Sequence, residues 1–211
     1  MTDSISNAWH IRPAQPGDGP HIAALETAHP DSGALGLSFH YKVDALVAQQ
    51  ALRPGSVCLV ADAGGRIVGM AFYWPSMGTV SGSIRFVGVI YGLVVHSEFR
   101  QQGIASSIYA ALVEHIRTAG GPGAVVVAGV QAGNEGSVKA AKRWATQSII
   151  GRTRVLVRPI RSKAPKLPRG LEFREISDAD WVAVAEGITT CYQDHELAPR
   201  WDAGQMRDSY Q

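Results

Sequence analysis

The feature that most limits the fold is a junction near the middle of the chain. A β-rich run at 84–96 holds Val87, Val89, Ile90, Tyr91, Leu93, Val94 and Val95, and passes within a few residues into an amphipathic helix. In that helix, predicted over 102–119, Ile104, Ile108, Leu112 and Ile116 recur every four residues as one apolar stripe. Gly120-Gly121-Pro122-Gly123 stops it. A strand followed by a helix that must cover it points to a layered sheet. Gly88 and Gly92 interrupt the run, which suggests a bulge or the close approach of another group.

The flanking sequence extends the pattern. Residues 9–13 alternate as a short strand, and Asp18 precedes a helix carrying Ile22, Ala23 and Leu25 that ends near His29-Pro30. After a loop at 31–36, Tyr41, Val43, Leu46 and Val47 predict a helix over 39–51, stopped by Pro54-Gly55. Runs 57–61 and 67–74, joined by Asp62-Ala63-Gly64-Gly65, read as a hairpin. A loop at 76–82, a buried strand at 124–130, a helix at 135–145 and a strand at 149–157 complete the order. The class is α/β (α+β): a mixed, mostly antiparallel sheet with helices on both faces.

With 45% apolar and 18% charged residues, the 211-residue chain can bury a sizeable core. A net charge of +2 with scattered basic residues leaves no footprint for nucleic acid. No run approaches the ~18 apolar residues of a membrane helix, so no membrane partner is expected. Cys58 and Cys191 form neither a disulfide framework nor zinc spacing, so no metal is expected. The polar N-terminus lacks an apolar h-region, and the expected setting is cytoplasmic.

Chemistry concentrates between Val95 and Ser106. The first turn of a helix leaves backbone N–H groups unpaired, and the macrodipole makes that end positive. Main-chain amides there can grip a diphosphate. Gly103 and the small Ala105 let phosphates approach, Arg100 adds charge and Ser106 brings a hydroxyl. An ordinary helix start with a surface arginine is the plainer alternative. A dinucleotide site needs Gly-x-Gly-x-x-Gly opening a helix, whereas Gly121-Pro122-Gly123 leads into a strand.

In its context this segment resembles the GNAT superfamily of N-acetyltransferases. Their signature, Gln/Arg-x-x-Gly-x-Gly/Ala after a strand ending in valine, is matched by Arg100-Gln101-Gln102-Gly103-Ile104-Ala105 after Leu93-Val94-Val95. Val130-Gln131-Ala132-Gly133-Asn134 resembles the family's next strand and its turn asparagine. The resemblance covers residues 8–160. It implies acetyl-CoA as cosubstrate, with its pantetheine between splayed strands 90–95 and 125–130. Main-chain groups of Leu93, Val94 and Val95 would meet the thioester and pantetheine. Residues Arg100, Gln101, Gln102, Gly103, Ile104, Ala105, Ser106 and Asn134 would complete the cofactor site.

The implied activity is acetyl transfer by direct attack of an acceptor amine, on a small molecule or a protein. Two positions depart from the pattern. Gly92 stands where many relatives carry a glutamate, and Ala141 where many carry a tyrosine. A non-catalytic acyl-CoA-binding or regulatory module is therefore the alternative; a ligand-free interaction protein is disfavoured by the intact loop. Substitute catalytic groups are Tyr91, Ser137 and Glu26, each with a plainer reading: strand packing, backbone satisfaction at a helix start, and a surface carboxylate. His96 lies beside the phosphate loop. The acceptor side is expected from residues 29–40, Tyr73, Trp74 and Trp144, although core aromatics covering a sheet edge explain Tyr73 and Trp74 at least as well.

Residues 161–170 read as a basic, proline-containing linker, and 171–211 as a C-terminal extension. The extension resembles the chain's own start. Ile11-Arg12 aligns with Phe173-Arg174, 162 residues later, and Asp18 then meets Asp180 and Ile22 meets Val184. Either a second GNAT-like unit opens here, or two short strand–helix pieces are alike by chance. Residues 171–176 are predicted to add a strand to their own sheet or, by exchange, to a partner's in a homodimer. Helices are expected at 178–188 and 201–210. Trp181, Tyr192 and Trp201 are costly to expose, so the extension should bury against the main domain or a second subunit.

Overall fold

The computed structural model describes residues 9–30, 39–148 and 169–210. In chain order these form β1 (His10–Pro13), α1 (Gly19–Ala28), α2 (Ala45–Leu52), β2 (Val57–Ala63), β3 (Arg66–Val80), β4 (Ser83–Val95), α3 (Ile104–Gly120), β5 (Val125–Ala128), α4 (Glu135–Ala141), α5 (Asp180–Cys191), β6 (Leu197–Arg200) and α6 (Ala203–Tyr210). The sheet runs β1-β2-β3-β4-β5, with β6 also on β3. All pairings are antiparallel except β4 with β5. The predicted mixed sheet is therefore present.

Alternation along the strands builds two cores. Leu59, Ala61, Ala71, Tyr73 and Ile90 face α3, where the stripe Ile104, Ile108, Leu112 and Ile116 is fully buried. Burying each stripe residue is worth roughly 1.5–3 kcal/mol. Cys58, Val60, Met70 and Phe72 face α1 and α2, and pack on Ile22, Leu25 and Ala45. Burial on both faces explains why the central strands read as nearly continuous apolar runs. The two glycines of β4 serve different ends. A Cβ on Gly88 would collide with Ile116, so that glycine admits α3. Gly92 has φ +65 where the register against β3 shifts between Met70 and Phe72, so it forms a bulge.

Several boundaries differ from the sequence reading. The loop expected at 76–82 is strand: β3 continues to Val80, and Ser81 and Gly82, at φ 47 and φ 76, turn the chain directly into β4. A two-residue turn with positive φ at both positions matches strand twist. Pro75 does not break β3, because it lies on that edge between the last β2 partner (opposite Tyr73) and the first β6 partner (opposite Met77). α2 begins at Ala45, not near residue 39. Asp44 Oδ1 accepts from the Leu46 and Val47 N–H groups at 2.9 and 3.2 Å and sets the helix start. That phase turns Ala45 and Gln49 inward and leaves Val43 and Val47 exposed. β5 is shorter than 124–130 and only half-buried, and α4 ends at Ala141. The expected 31–36 loop, the 149–157 strand and nearly all of the 161–170 linker lie outside the described residues.

The extension is the largest departure. Residues 171–176 form no strand and are exposed. The strand that reaches the sheet is β6, antiparallel to β3 from Met77 to Val80 in the same chain. α5 and α6 close a small core of Trp181, Ala185 and Met206, and Trp201 packs on Trp74 with ring centroids 5.7 Å apart. The extension thus buries against the main domain, as one of the two expectations had it, although Tyr192 remains exposed. No helix among the described residues is long and apolar enough to cross a membrane.

Candidate functional site

β4 and β5 are paired from Val87 opposite Val125 to Ile90 opposite Ala128. There β5 ends while β4 runs on to Val95. Among the described residues no strand covers that edge of β4 beyond Ile90, so the opening starts later than the 125–130 span suggested. Leu93, Val94 and Val95 lie beside it, past the Gly92 bulge, and are part-exposed.

The chain next makes a 3-10 turn at Ser97–Phe99, where His96 Nδ1 accepts from the Glu98 N–H at 3.3 Å. Arg100 Nε donates to the Val95 carbonyl at 3.2 Å, and Gln102 Nε2 to the Glu98 carbonyl at 3.2 Å. Gln101 takes φ 64. Arg100, Gln101 and Gln102 therefore shape the loop, and α3 opens at Ile104 with Gly103 before it at φ 86. A Cβ at Gly103 would meet nothing within 4 Å, and no side chain caps this helix. The first-turn amides of Ile104, Ala105 and Ser106 face an open mouth. Ser106 Oγ accepts from Arg143 Nη1 at 2.8 Å, which brings a guanidinium to the same place. Sequence reading missed Arg143, since only α3–α4 packing places it there. Asn134 Oδ1 accepts from the Ser137 N–H at 3.0 Å and caps α4, which ends at the half-buried Ala141. Free amides, a helix dipole and a nearby cation suit a diphosphate, and the opened strand edge suits an extended pantetheine.

On the opposite face of the sheet lies a buried polar chain. Glu26, predicted as a surface carboxylate in its plainer reading, is only 5% exposed, and its Oε2 has no hydrogen-bond partner among the described residues. Its Oε1 lies 4.0 Å from where a Cβ on Gly92 would stand. Burial pushes the Glu26 carboxyl up, while a hydrogen bond from Tyr41 pulls it down. Gln49 Nε2 donates to Tyr41 Oη at 3.0 Å, and Arg53 Nη1 donates to Gln49 Oε1 at 3.2 Å. The Tyr91 hydroxyl lies 3.2 Å from Gln49 Oε1 and 3.1 Å from Ser56 Oγ. Its ring stacks on Phe72 and under Arg53. Tyr41, Gln49 and Tyr91 thus form one hydrogen-bonded chain on the face that also holds Glu26, while Ser137 sits on α4 across the sheet.

The expected acceptor aromatics separate. Strand alternation turns Tyr73 into the α3 core, with its hydroxyl 3.2 Å from His115 Nδ1, and sends Trp74 to the extension. Trp144 packs against Tyr109 on α3, with the rings tilted and their centroids 5.6 Å apart. His29 stands edge-on to His96, with centroids 4.5 Å apart, and burial lowers its pKa. Both line a groove of about 360 Å³ with His21, Arg66 and Ile67. Most of the 29–40 segment is outside the described residues.

The profile of the Acetyltransferase (GNAT) family matches residues 24–145. The chain is similar to an acetyltransferase of Trypanosoma brucei, with TM-score 0.55 and 22% identity over 71% of this chain and 100% of that one. It is similar to ribosomal-protein-alanine N-acetyltransferase from Brucella melitensis biovar Abortus 2308, with TM-score 0.53 and 17% identity over 71% and 98%. Glucosamine-6-phosphate N-acetyltransferase from Arabidopsis thaliana gives TM-score 0.53 and 15% identity over 70% and 98%. At such identities the likeness is one of fold. No curated protein matches the sequence.

Proposed function

Because this chain belongs to the GNAT acetyltransferase family, we propose that it transfers an acetyl group from acetyl-CoA to an acceptor amine by direct attack, with Glu26 as the base. Bound acetyl-CoA supplies an activated thioester carbonyl. The amides of Ile104, Ala105 and Ser106, with Arg143 beside them, hold the diphosphate. The Leu93–Val95 edge aligns the pantetheine, and a main-chain N–H there takes up negative charge developing on the carbonyl oxygen. Glu26 accepts the proton of the attacking amine. A C–N bond forms as the C–S bond breaks, and sulfur gains its proton from water.

The observation that carries this reading is the position of Glu26. A buried carboxylate with an unpartnered oxygen stands beside Gly92, where relatives place a glutamate of their own. In this chain the carboxylate comes from α1, and the Gly92 bulge leaves room for it. Ala141 favours a second reading, a non-catalytic acyl-CoA-binding module, which turnover of any amine excludes.

Thiol release measured over a panel of amines tests the proposal. Glu26→Gln should lower kcat by about 10²–10⁴-fold and leave acetyl-CoA affinity unchanged; full activity in this variant removes Glu26 from the mechanism. Acetyl-CoA should raise the melting temperature of the wild type, and Gly103→Glu should abolish that rise while the fold survives. A wild-type protein indifferent to millimolar acetyl-CoA overturns the cofactor assignment as a whole.

A further inference from the structure

Successive residues of a helix turn by about 100°. Glu26 and the row His21, Leu25 and Ala28 therefore stand on opposite flanks of the buried Ile22 in α1. The Glu26 flank meets β4 at Gly92. The other flank meets Arg66 and Ile67 at the start of β3, and with His29 and His96 it forms the groove of about 360 Å³. His96 reaches it because its N–H donates to the Val68 carbonyl at 2.8 Å, which lays the end of β4 beside the start of β3. Every polar side chain on the groove wall carries nitrogen: His21, His29, Arg66 and His96. Among the described residues no carboxylate, amide or hydroxyl side chain lines it, and the rest of the lining is apolar or glycine.

Two of these groups have hydrogen bonds still to make. Among the described residues the Arg66 guanidinium bonds only His96 Nε2, at 2.7 Å, and that nitrogen must accept because a guanidinium cannot. Glu98, a mostly exposed carboxylate, stands 3.7 Å from Arg66 Nη1, beyond hydrogen-bond reach. His29 Nε2 is buried without a partner among the described residues, a cost that a ligand bonded to the ring would remove. The geometry points to a binding site in this groove for a small organic anion, a carboxylate with a short hydrocarbon body. Its charged end meets Arg66 and His29, and its hydrocarbon lies on Leu25, Ala28 and Ile67. A guanidinium presents two parallel donors that match a carboxylate edge. The volume lies near the lower end of the range for ligand pockets, roughly 300–1,000 Å³, so the ligand is small. The groove includes neither the α3 mouth nor Glu26, and the site therefore does not depend on the acetyl-transfer reading.

The test adds butanoate to the full chain at constant ionic strength and follows the imidazole signals of His29 and His96 by NMR. Their loss in His29→Phe and His96→Phe assigns them. Butanoate should shift both with a millimolar Kd, as suits so small a ligand. Inorganic phosphate, which lacks the hydrocarbon, should bind more weakly, and butylamine should shift neither signal. Arg66→Met should weaken butanoate about ten- to a hundredfold, the worth of a hydrogen bond to a charged group. His29→Phe should weaken it less, as read on His96. Arg117→Met removes the same charge from an exposed position on α3, across the sheet, and should change nothing. Signals indifferent to butanoate, or an affinity unchanged in both Arg66→Met and His29→Phe, overturn the inference. Displacement of butanoate by saturating acetyl-CoA also overturns it, by placing the ligand in the cofactor site. Phosphate binding as tightly as butanoate overturns the choice of a carboxylate with a hydrocarbon body.

Discussion

The start of the chain and the start of its extension carry the same clasp with different outcomes. At the N-terminus Arg12 holds Asp18 through Nη1 at 2.7 Å and Nη2 at 3.2 Å, and Asp18 also accepts from the Gln15 N–H at 2.7 Å. In the extension Arg174 holds Asp180 at 2.7 and 2.6 Å, and Asp180 accepts from the Ser177 N–H at 2.7 Å. Each arginine also reaches the carbonyl of the residue after it. In both, a helix follows directly. There the likeness stops. Arg12 Nε also binds Asp62 on β2 at 2.9 Å, and Ile11 packs into the α3 core from a paired strand. Among the described residues Arg174 has no such third partner, and Phe173 is 81% exposed with no strand beside it. A clasp closed across six residues is a local event. A strand belongs to a pair: β1 has the edge of β2 to join, and among the described residues the segment before Arg174 has none.

The comparison can be broken most sharply at the two aligned helix positions. Ile22→Ala should cost about 2–5 kcal/mol in urea unfolding, because it empties a fully buried site. Val184→Ala should leave the main transition in place; equal losses would mean the extension is as integral as α1. Next come the clasps. Arg12→Met strands two largely buried carboxylates and should cost about 2–3 kcal/mol, whereas Arg174→Met should leave the main midpoint unchanged.

The pH dependence sharpens this contrast. Arg12 holds Asp18 below its ordinary value, and the Gly65 N–H with Arg12 does the same for Asp62. The unfolded chain therefore binds their protons first. Their stabilisation is complete above the ordinary carboxylate range and is lost as pH falls through the depressed folded values. The acid slope of wild-type stability should flatten in Arg12→Met and persist in Arg174→Met. The smallest effects belong to the strand positions. Ile11→Ser should cost about 1–2 kcal/mol, for lost apolar burial, and Phe173→Ser should stay within about 0.5 kcal/mol in the same unfolding assay.

Much of the fold was legible because its signals are local or periodic. The α3 stripe, the hairpin and the helix-opening glycine each need only neighbouring residues to be recognised. Errors fell where distant parts intervene. The tip of the long β3–β4 hairpin, 76–82, was read as a loop because Pro75 and Gly78 look like breakers until their place on the edge is known. The stripe assumed for α2 was out of phase because Asp44, rather than an earlier residue, caps the helix. Within the site, the 100–106 loop was legible as a unit. Glu26 was named without any sign that it is buried, and Tyr41, Gln49, Arg53 and Arg143 gained their roles only from packing.

By itself the sequence determined the order of elements from β1 to α4 and the helix mouth at Gly103, since each depends on residues within a few positions of one another. Tertiary structure alone decided that β6 rather than 171–176 joins the sheet, and that a carboxylate on α1 stands beside the glycine on β4. Those outcomes depend on which edges and faces meet across long separations, and desolvation and pairing there set the energies that local spacing does not record.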